Sequence, residues 1–197
     1  MQVPKIGESA RSFRLPTAQG SEVGLDDYKG RQAIVLWFTK GMGCPFCRQQ
    51  MGQLSRAYPR IKEHGGEVLQ VTGSTPARAQ FYARQFKLPF PYLCDPDHRV
   101  HDAWGVEKRS HGLGYYAKTF VTAMRSEMPA NDYGNFKPSL GEMPGLLADE
   151  DMGLFIVDRA GVVRYTLAGS YFGDAGPRGL PGADELVREL DRCAAAA

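Results

Sequence analysis

The chain has 197 residues, 43% of them hydrophobic and 23% charged, with a formal net charge of +2. This is the size and balance of one globular α/β domain, and it excludes a disordered chain or a basic stripe that tracks phosphates. No apolar run approaches the roughly 20 residues of a membrane span, and Met1–Gly20 has no apolar core of a secretory signal, so a cytoplasmic location with no membrane partner is expected. Four cysteines, Cys44, Cys47, Cys94 and Cys193, are too few for a disulfide scaffold, and two of them stand in a C-x-x-C arrangement that suggests redox chemistry or a metal.

In chain order, Ser12–Gly30 alternates apolar and polar residues around Gly20 and ends in Leu25-Asp26-Asp27-Tyr28, which predicts a small hairpin and a helical turn. Ala33–Thr39 (AIVLWFT) is an almost continuous apolar run of strand formers, the pattern of a strand buried on both faces. Gly41-Met42-Gly43 is a turn signal. From Pro45 the pattern becomes helical, with Phe46, Met51, Leu54 and Tyr58 about one turn apart, Pro59 expected to bend or interrupt the helix and Gly65-Gly66 expected to end it. Val68–Thr72 is a second strand, Ser74-Thr75-Pro76 a helix start leading into Ala77–Phe86, and Pro89–Leu93 an extended segment. Asp95-Pro96-Asp97 turns into a short helix containing Ala103-Trp104. Lys108–Met152 reads as a long Gly- and Pro-rich insertion, helical only at Tyr116–Arg125, and is expected to pack over the Cys44 end of the sheet. Gly153–Asp158 and Val162–Leu167 form a last hairpin, and Ala183–Cys193 an amphipathic terminal helix. The order predicts a single thioredoxin-like α/β domain over residues 1–197, with a central mixed sheet flanked by helices.

The Cys pair suggests a mechanism. A thiolate is the nucleophile in attack on a disulfide or a peroxide, and an ordinary cysteine is mostly protonated at neutral pH. Cys44 immediately precedes the predicted helix, where unpaired N–H groups and the positive dipole end lower a thiol's pKa. Cys47 lies one turn in, so an exposed, acidic Cys44 and a sheltered Cys47 form an attacking and resolving pair. Two other readings stand beside this one. The pair could be half of a zinc site completed by Cys94 and His98, whose C-x-x-x-H spacing suits a metal, or it could be a coincidental buried pair. The corresponding alternative function is a non-catalytic metal-binding or protein-interaction module. Lys40 and Arg48 flank the pair and could stabilise a thiolate. His64, His98, His101 and His111 read as surface or locally bonded side chains, Cys94 as a buried small residue, and Cys193 as inert rather than a second resolving thiol. Trp37, Trp104 and Tyr115–Phe120 read as core.

Several segments in this order carry a resemblance. Ile6-Gly7-Glu8-Ser9-Ala10-Arg11-Ser12-Phe13, Asp27-Tyr28-Lys29-Gly30, Val35–Phe38 with Cys44-Pro45-Phe46-Cys47-Arg48, Leu88–Pro96 and Gly153–Asp158 together resemble the alkyl hydroperoxide reductase/thiol-specific antioxidant superfamily, in its peroxiredoxin-like branch, from Ile6 to about Gly169. The resemblance implies a thioredoxin fold, an antioxidant thiol oxidoreductase acting on disulfide or peroxide substrates, no organic cofactor, and a thioredoxin-type electron donor. The chain departs from the superfamily at Arg11, where proline is usual, and at Cys94, where serine is usual. Two further departures touch the chemistry. Gly41 stands three residues before Cys44, where peroxiredoxins carry the Thr or Ser whose hydroxyl binds peroxide, and Met152 stands where the superfamily's later Arg is usual. Dithiol exchange is therefore better motivated from the sequence than strong peroxidase activity.

Overall fold

The structure is a computed structural model that describes residues 2–42, 44–106, 108–109, 149–170, 172–173, 176–177 and 179–195. At the N-terminus, β1 (Arg14–Pro16) and β2 (Glu22–Gly24) pair antiparallel as the expected hairpin, and a 3-10 turn at Leu25–Tyr28 follows. The Asp27 carboxylate caps that turn by accepting the Gly24 N–H at 2.9 Å.

The sheet is built on β3 (Ala33–Thr39), whose seven residues are all buried. Helix α1 (Pro45–Glu63) crosses to β4 (Gly66–Thr72), which pairs parallel with β3. Helix α2 (Pro76–Phe86), capped by Thr75, crosses to the parallel strand β5 (Tyr92–Cys94). Asp95 then accepts the backbone N–H groups of Val100 and His101 and so starts the short helix α3 (Arg99–Ala103). On the other side of β3, β7 (Asp149–Val157) runs antiparallel and pairs with β8 (Val163–Ser170), while the two-residue β6 (Lys108–Arg109) pairs the start of β7. Helix α4 (Ala183–Ala195) closes the fold. Among the described residues the main sheet is thus β5-β4-β3-β7-β8, mixed and flanked by helices, with β6 added. No helix among the described residues is long and apolar enough to cross a membrane.

Strand alternation sends the apolar run of β3 to two cores. Val35 and Trp37 join Val68, Leu154 and Ile156 beneath α1, α2 and α4, while Ile34, Leu36 and Phe38 join Leu69, Val71 and Phe155 with Val100 and Trp104 on the α3 side. Two helix-covered faces explain why the run is continuous rather than alternating. Trp37 and Trp104 are both core residues with no exposed surface, as read from the sequence. Arg11, at the position where proline is usual, donates to the carbonyls of Gln2 and Ala103 and ties the N-terminus to the end of α3.

One helix end agrees with expectation and one strand start differs. Of the two outcomes expected at Pro59, a bend or an interruption, α1 shows no interruption: it runs on to Glu63 and ends, as expected, before Gly65-Gly66. A proline costs a helix about 3 kcal/mol through one lost hydrogen bond and a clash, and the buried stripe Met51, Leu54, Ala57 and Ile61 straddles it and holds both halves on the sheet. The last hairpin begins four residues early, at Asp149 rather than Gly153. Its extra residues are held by pairing with β6 and with Ser170 and Gly169 of β8, a tertiary cause that local pattern does not carry. The expected helix at Tyr116–Arg125, the core assignment of Tyr115–Phe120, His111 and nearly all of the 108–152 insertion lie outside the described residues.

Phe155 has no exposed surface and meets Phe38 edge-on at 5.8 Å and Trp104 at 4.9 Å between ring centroids. Replacing it by alanine should cost about 3–5 kcal/mol of stability, the usual range for emptying a buried aromatic site. Equilibrium urea unfolding checks this, and a loss below 1 kcal/mol, within the scatter of surface substitutions, would show the second core to be less dependent on it.

Candidate active site

Strand β3 ends at Thr39 and α1 starts at Pro45, so the chain turns from the sheet edge into a helix within Lys40–Cys44. The Gly41 carbonyl accepts the Cys44 N–H at 3.2 Å, which closes the turn. Cys44 is the N-cap, with extended backbone, and its carbonyl accepts the Arg48 N–H at 3.1 Å; Pro45 takes the first helical position, where a missing N–H costs nothing. Cys47 lies inside the first turn. None of the four cysteines is in a disulfide.

The sequence predicted an exposed Cys44, and in this respect the structure differs. Cys44 is only 7% exposed, while Cys47 is fully enclosed at 0%. The reason is Met152 of β7, itself fully buried, which forms one apolar cluster with Cys44 and Cys47, with Phe46 and Leu180 packed against it. Met152 is also the last residue of the stretch expected to lie over the Cys44 end of the sheet. The Gln50 side-chain amide donates to its thioether at 3.8 Å.

Electrostatics separate Cys44 from the other thiols. The Cys47 thiol donates a hydrogen bond to it, and this is the largest influence on its acidity. Burial opposes it, and the Cys47 N–H, the Lys40 charge and the Phe46 N–H add to the lowering, so that the Cys44 pKa falls to about 7. Arg48 is almost fully buried and donates from Nη1 to the Met42 carbonyl at 2.7 Å. Burial pulls its guanidinium below the ordinary value, partly offset by the charges of Cys44 and Cys47. Both flanking cations singled out in the sequence therefore act on the pair electrostatically. Cys94 and Cys193 are held up at about 11, in each case chiefly by burial.

The remaining candidates fall elsewhere. Cys94 packs in the core beneath α1 and α2, and the His98 ring lies against Gly73, where an added Cβ would stand 2.4 Å away. Neither joins Cys44 and Cys47, and among the described residues no three His, Cys, Asp or Glu side chains converge in a way that could hold a metal ion. His64 pairs with Asp191 at 2.6 Å, and His101 is buried with its Nδ1 2.7 Å from the Asp95 carboxylate. Sequence reasoning missed Gln50, which carries no motif and is marked only by its place one helical turn beyond Cys47.

A family model described as the AhpC/TSA family matches residues 6–166. The chain belongs to the AhpC/TSA family. Among curated relatives, chloroplastic peroxiredoxin Q of Populus jackii is 26% identical over 132 residues, covering 67% of this chain and 62% of that protein. Peroxiredoxin Bcp of Escherichia coli K12 is 33% identical over 113 residues, covering 56% of this chain and 72% of that one. The chain thus spans about three fifths of the length of the poplar relative. In fold, it is similar to peroxidoxin BcpB from Mycobacterium tuberculosis, with a TM-score of 0.63 at 18% identity, covering 95% of this chain and 97% of the other. That likeness in fold agrees with the mixed sheet and flanking helices described above.

Mild alkylation of the reduced protein should label Cys44 first, with half-maximal reactivity near pH 7, the value of about 7 set by its donors. Cys94 and Cys193, held at about 11, should lag far behind at that pH. Mass mapping of the labelled peptides checks the order, and preferential labelling of Cys47 would reverse the assignment.

Proposed function

We propose that the chain is a thiol-dependent oxidoreductase of the peroxiredoxin type, in which Cys44 attacks and Cys47 resolves, and that it favours disulfides over hydrogen peroxide. The observation that carries this reading is the acidic Cys44 at the head of α1 with the Cys47 thiol hydrogen-bonded to it. The names of the relatives, both peroxiredoxins, support the class of chemistry.

With a disulfide, the Cys44 thiolate attacks one sulfur, forms a mixed disulfide and releases the other as a thiolate. Cys47 then gives up its proton and attacks the Cys44 sulfur. The products are a Cys44–Cys47 disulfide and the second substrate thiol, and the pair has supplied two electrons. With a hydroperoxide, the thiolate attacks the terminal oxygen, the alkoxide leaves with a proton as an alcohol, and Cys44 becomes a sulfenic acid. Cys47 condenses with it and water departs. In both cases an external dithiol, of the thioredoxin type that the resemblance implies, returns the pair to its reduced state.

The preference follows from what surrounds Cys44. Polarising an O–O bond needs donors beyond the helix end, and removing one donor aimed at developing charge typically costs about 3–4 kcal/mol in a transition state. Met152 is apolar, and Gly41 brings no hydroxyl. Disulfide exchange depends instead on an available thiolate, a good leaving thiol and access. Among the described residues, Lys40 and Arg48 are cations that act on the pair.

Reduced protein should therefore turn over a small aromatic disulfide readily and consume hydrogen peroxide slowly. Cys44→Ser should abolish both reactions, and Cys47→Ser should trap a mixed disulfide on Cys44. Stopped-flow measurement with the two substrates side by side decides the preference. A peroxide rate equal to that of an efficient peroxiredoxin would show that Thr39, Lys40 or Arg48 replaces the missing donors.

A further inference from the structure

Three hydroxyls from two parts of the chain meet behind the Gly41–Cys44 turn. Thr72 ends β4, Ser74 follows two residues later, and Tyr92 begins β5; Thr72 and Tyr92 have no exposed surface. The Thr72 hydroxyl donates to Ser74 Oγ at 2.9 Å and the Tyr92 phenol donates to Thr72 Oγ1 at 3.4 Å, so the three hydroxyl oxygens form a linked ring around Gly41. The Ser74 N–H also donates to Thr72 Oγ1 at 2.9 Å, fixing the ring to the backbone.

Gly41 rests directly on this ring. An added Cβ there would stand 3.1 Å from Ser74 Oγ, 3.1 Å from the Tyr92 oxygen and 3.3 Å from Thr72 Oγ1, at a φ of +101° that L side chains rarely adopt. Gly41 in turn carries the carbonyl that accepts the Cys44 N–H, and its own N–H donates to Thr39 Oγ1 at 3.5 Å. Arg48 of α1 holds the neighbouring Met42 carbonyl at 2.7 Å. The redox turn is therefore clamped between α1 and the hydroxyl ring.

We propose that Tyr92, with Thr72 and Ser74, is a positioning residue of the site, and that its ring of hydroxyls holds Gly41 so that the Cys44 sulfur meets the N–H groups of α1. This rests on the reading of Cys44 as the reactive thiol. Tyr92 suits the task because burial pushes its phenol up to about 12, so it stays a neutral donor across the range in which Cys44 titrates. If the ring is broken, the turn gains freedom, the thiolate loses its donors for part of the time, and Cys44 becomes less acidic.

The test is the pH profile of Cys44 alkylation, followed by mass mapping, in Tyr92→Phe and Ser74→Ala beside the parent protein, with thermal unfolding measured on each. Phenylalanine keeps the buried ring and removes only the hydroxyl. Both variants should shift the Cys44 midpoint upward and slow labelling at pH 7 by about fivefold, the thiolate lost when a thiol at about 7 rises by one unit, with the limiting alkaline rate unchanged. Profiles that superimpose on the parent would overturn the proposal whether or not the unfolding temperature falls, since a merely structural role moves stability and not the midpoint. A parent protein whose Cys44 shows no titration near neutrality would instead overturn the reading of Cys44 itself, and this proposal with it.

Discussion

An acidic thiol in an almost dry site is the constraint on which the rest of the molecule turns. Removing a charge from water is costly unless donors replace the water, so burial alone drives a thiol toward its neutral form. Cys94 and Cys193 show that outcome, at about 11. Cys44 is as enclosed as a core residue and yet lies at about 7. The difference is made by a small set of donors at the head of α1, namely the Cys47 thiol, the N–H groups of Cys47 and Phe46, and the charge of Lys40. The same residue type thus takes opposite characters in one chain, and the helix terminus decides which.

That set of donors depends on the sheet. Strand β3 is central, with β4 parallel on one side and β7 antiparallel on the other, so the turn into α1 leaves from the middle of the edge rather than from its rim. The pairing of Phe38 with Gly153 brings the preceding residue, Met152, to the end of β3, where its side chain covers the pair. The parallel order of β3, β4 and β5 brings Thr39, Thr72 and Cys94 to one edge, and with them the hydroxyls behind Gly41. Enclosure and positioning both follow from strand register, and neither requires a residue adjacent in sequence to Cys44.

This explains what could be read in the sequence and what could not. The buried strand Ala33–Thr39, the Pro45-led helix and the hairpin opened by Gly153–Asp158 are local signals, and each recurs in the structure within a few residues. The geometry of Cys44 and Cys47 at a strand-to-helix turn was legible for the same reason. Whether Pro59 would interrupt α1 was not, because its tolerance is decided by packing of Met51, Leu54 and Ile61 on the sheet. The near-complete burial of Cys44 was not, because the covering atoms come from Met152, more than a hundred residues away. Tyr92 was invisible as anything but a strand aromatic, since its relation to Gly41 exists only once β5 lies beside β4.

The two departures from the family motif near the pair are best understood as parts of one arrangement. A threonine at position 41 would place a β-branched side chain at a φ of +101° and drive its Cβ to 3.1 Å from both Ser74 Oγ and the Tyr92 oxygen. A side chain on residue 41 would therefore be strained in its backbone and would press on the same three hydroxyls that surround Gly41. An arginine in place of Met152 would meet a similar conflict, because its charge would enter an enclosure bounded by Phe46 and Leu180 that already holds the buried guanidinium of Arg48 close to the same sulfurs. Both positions therefore answer to the backbone turn and to the enclosure of Cys44, and not only to the donors that the motif would bring.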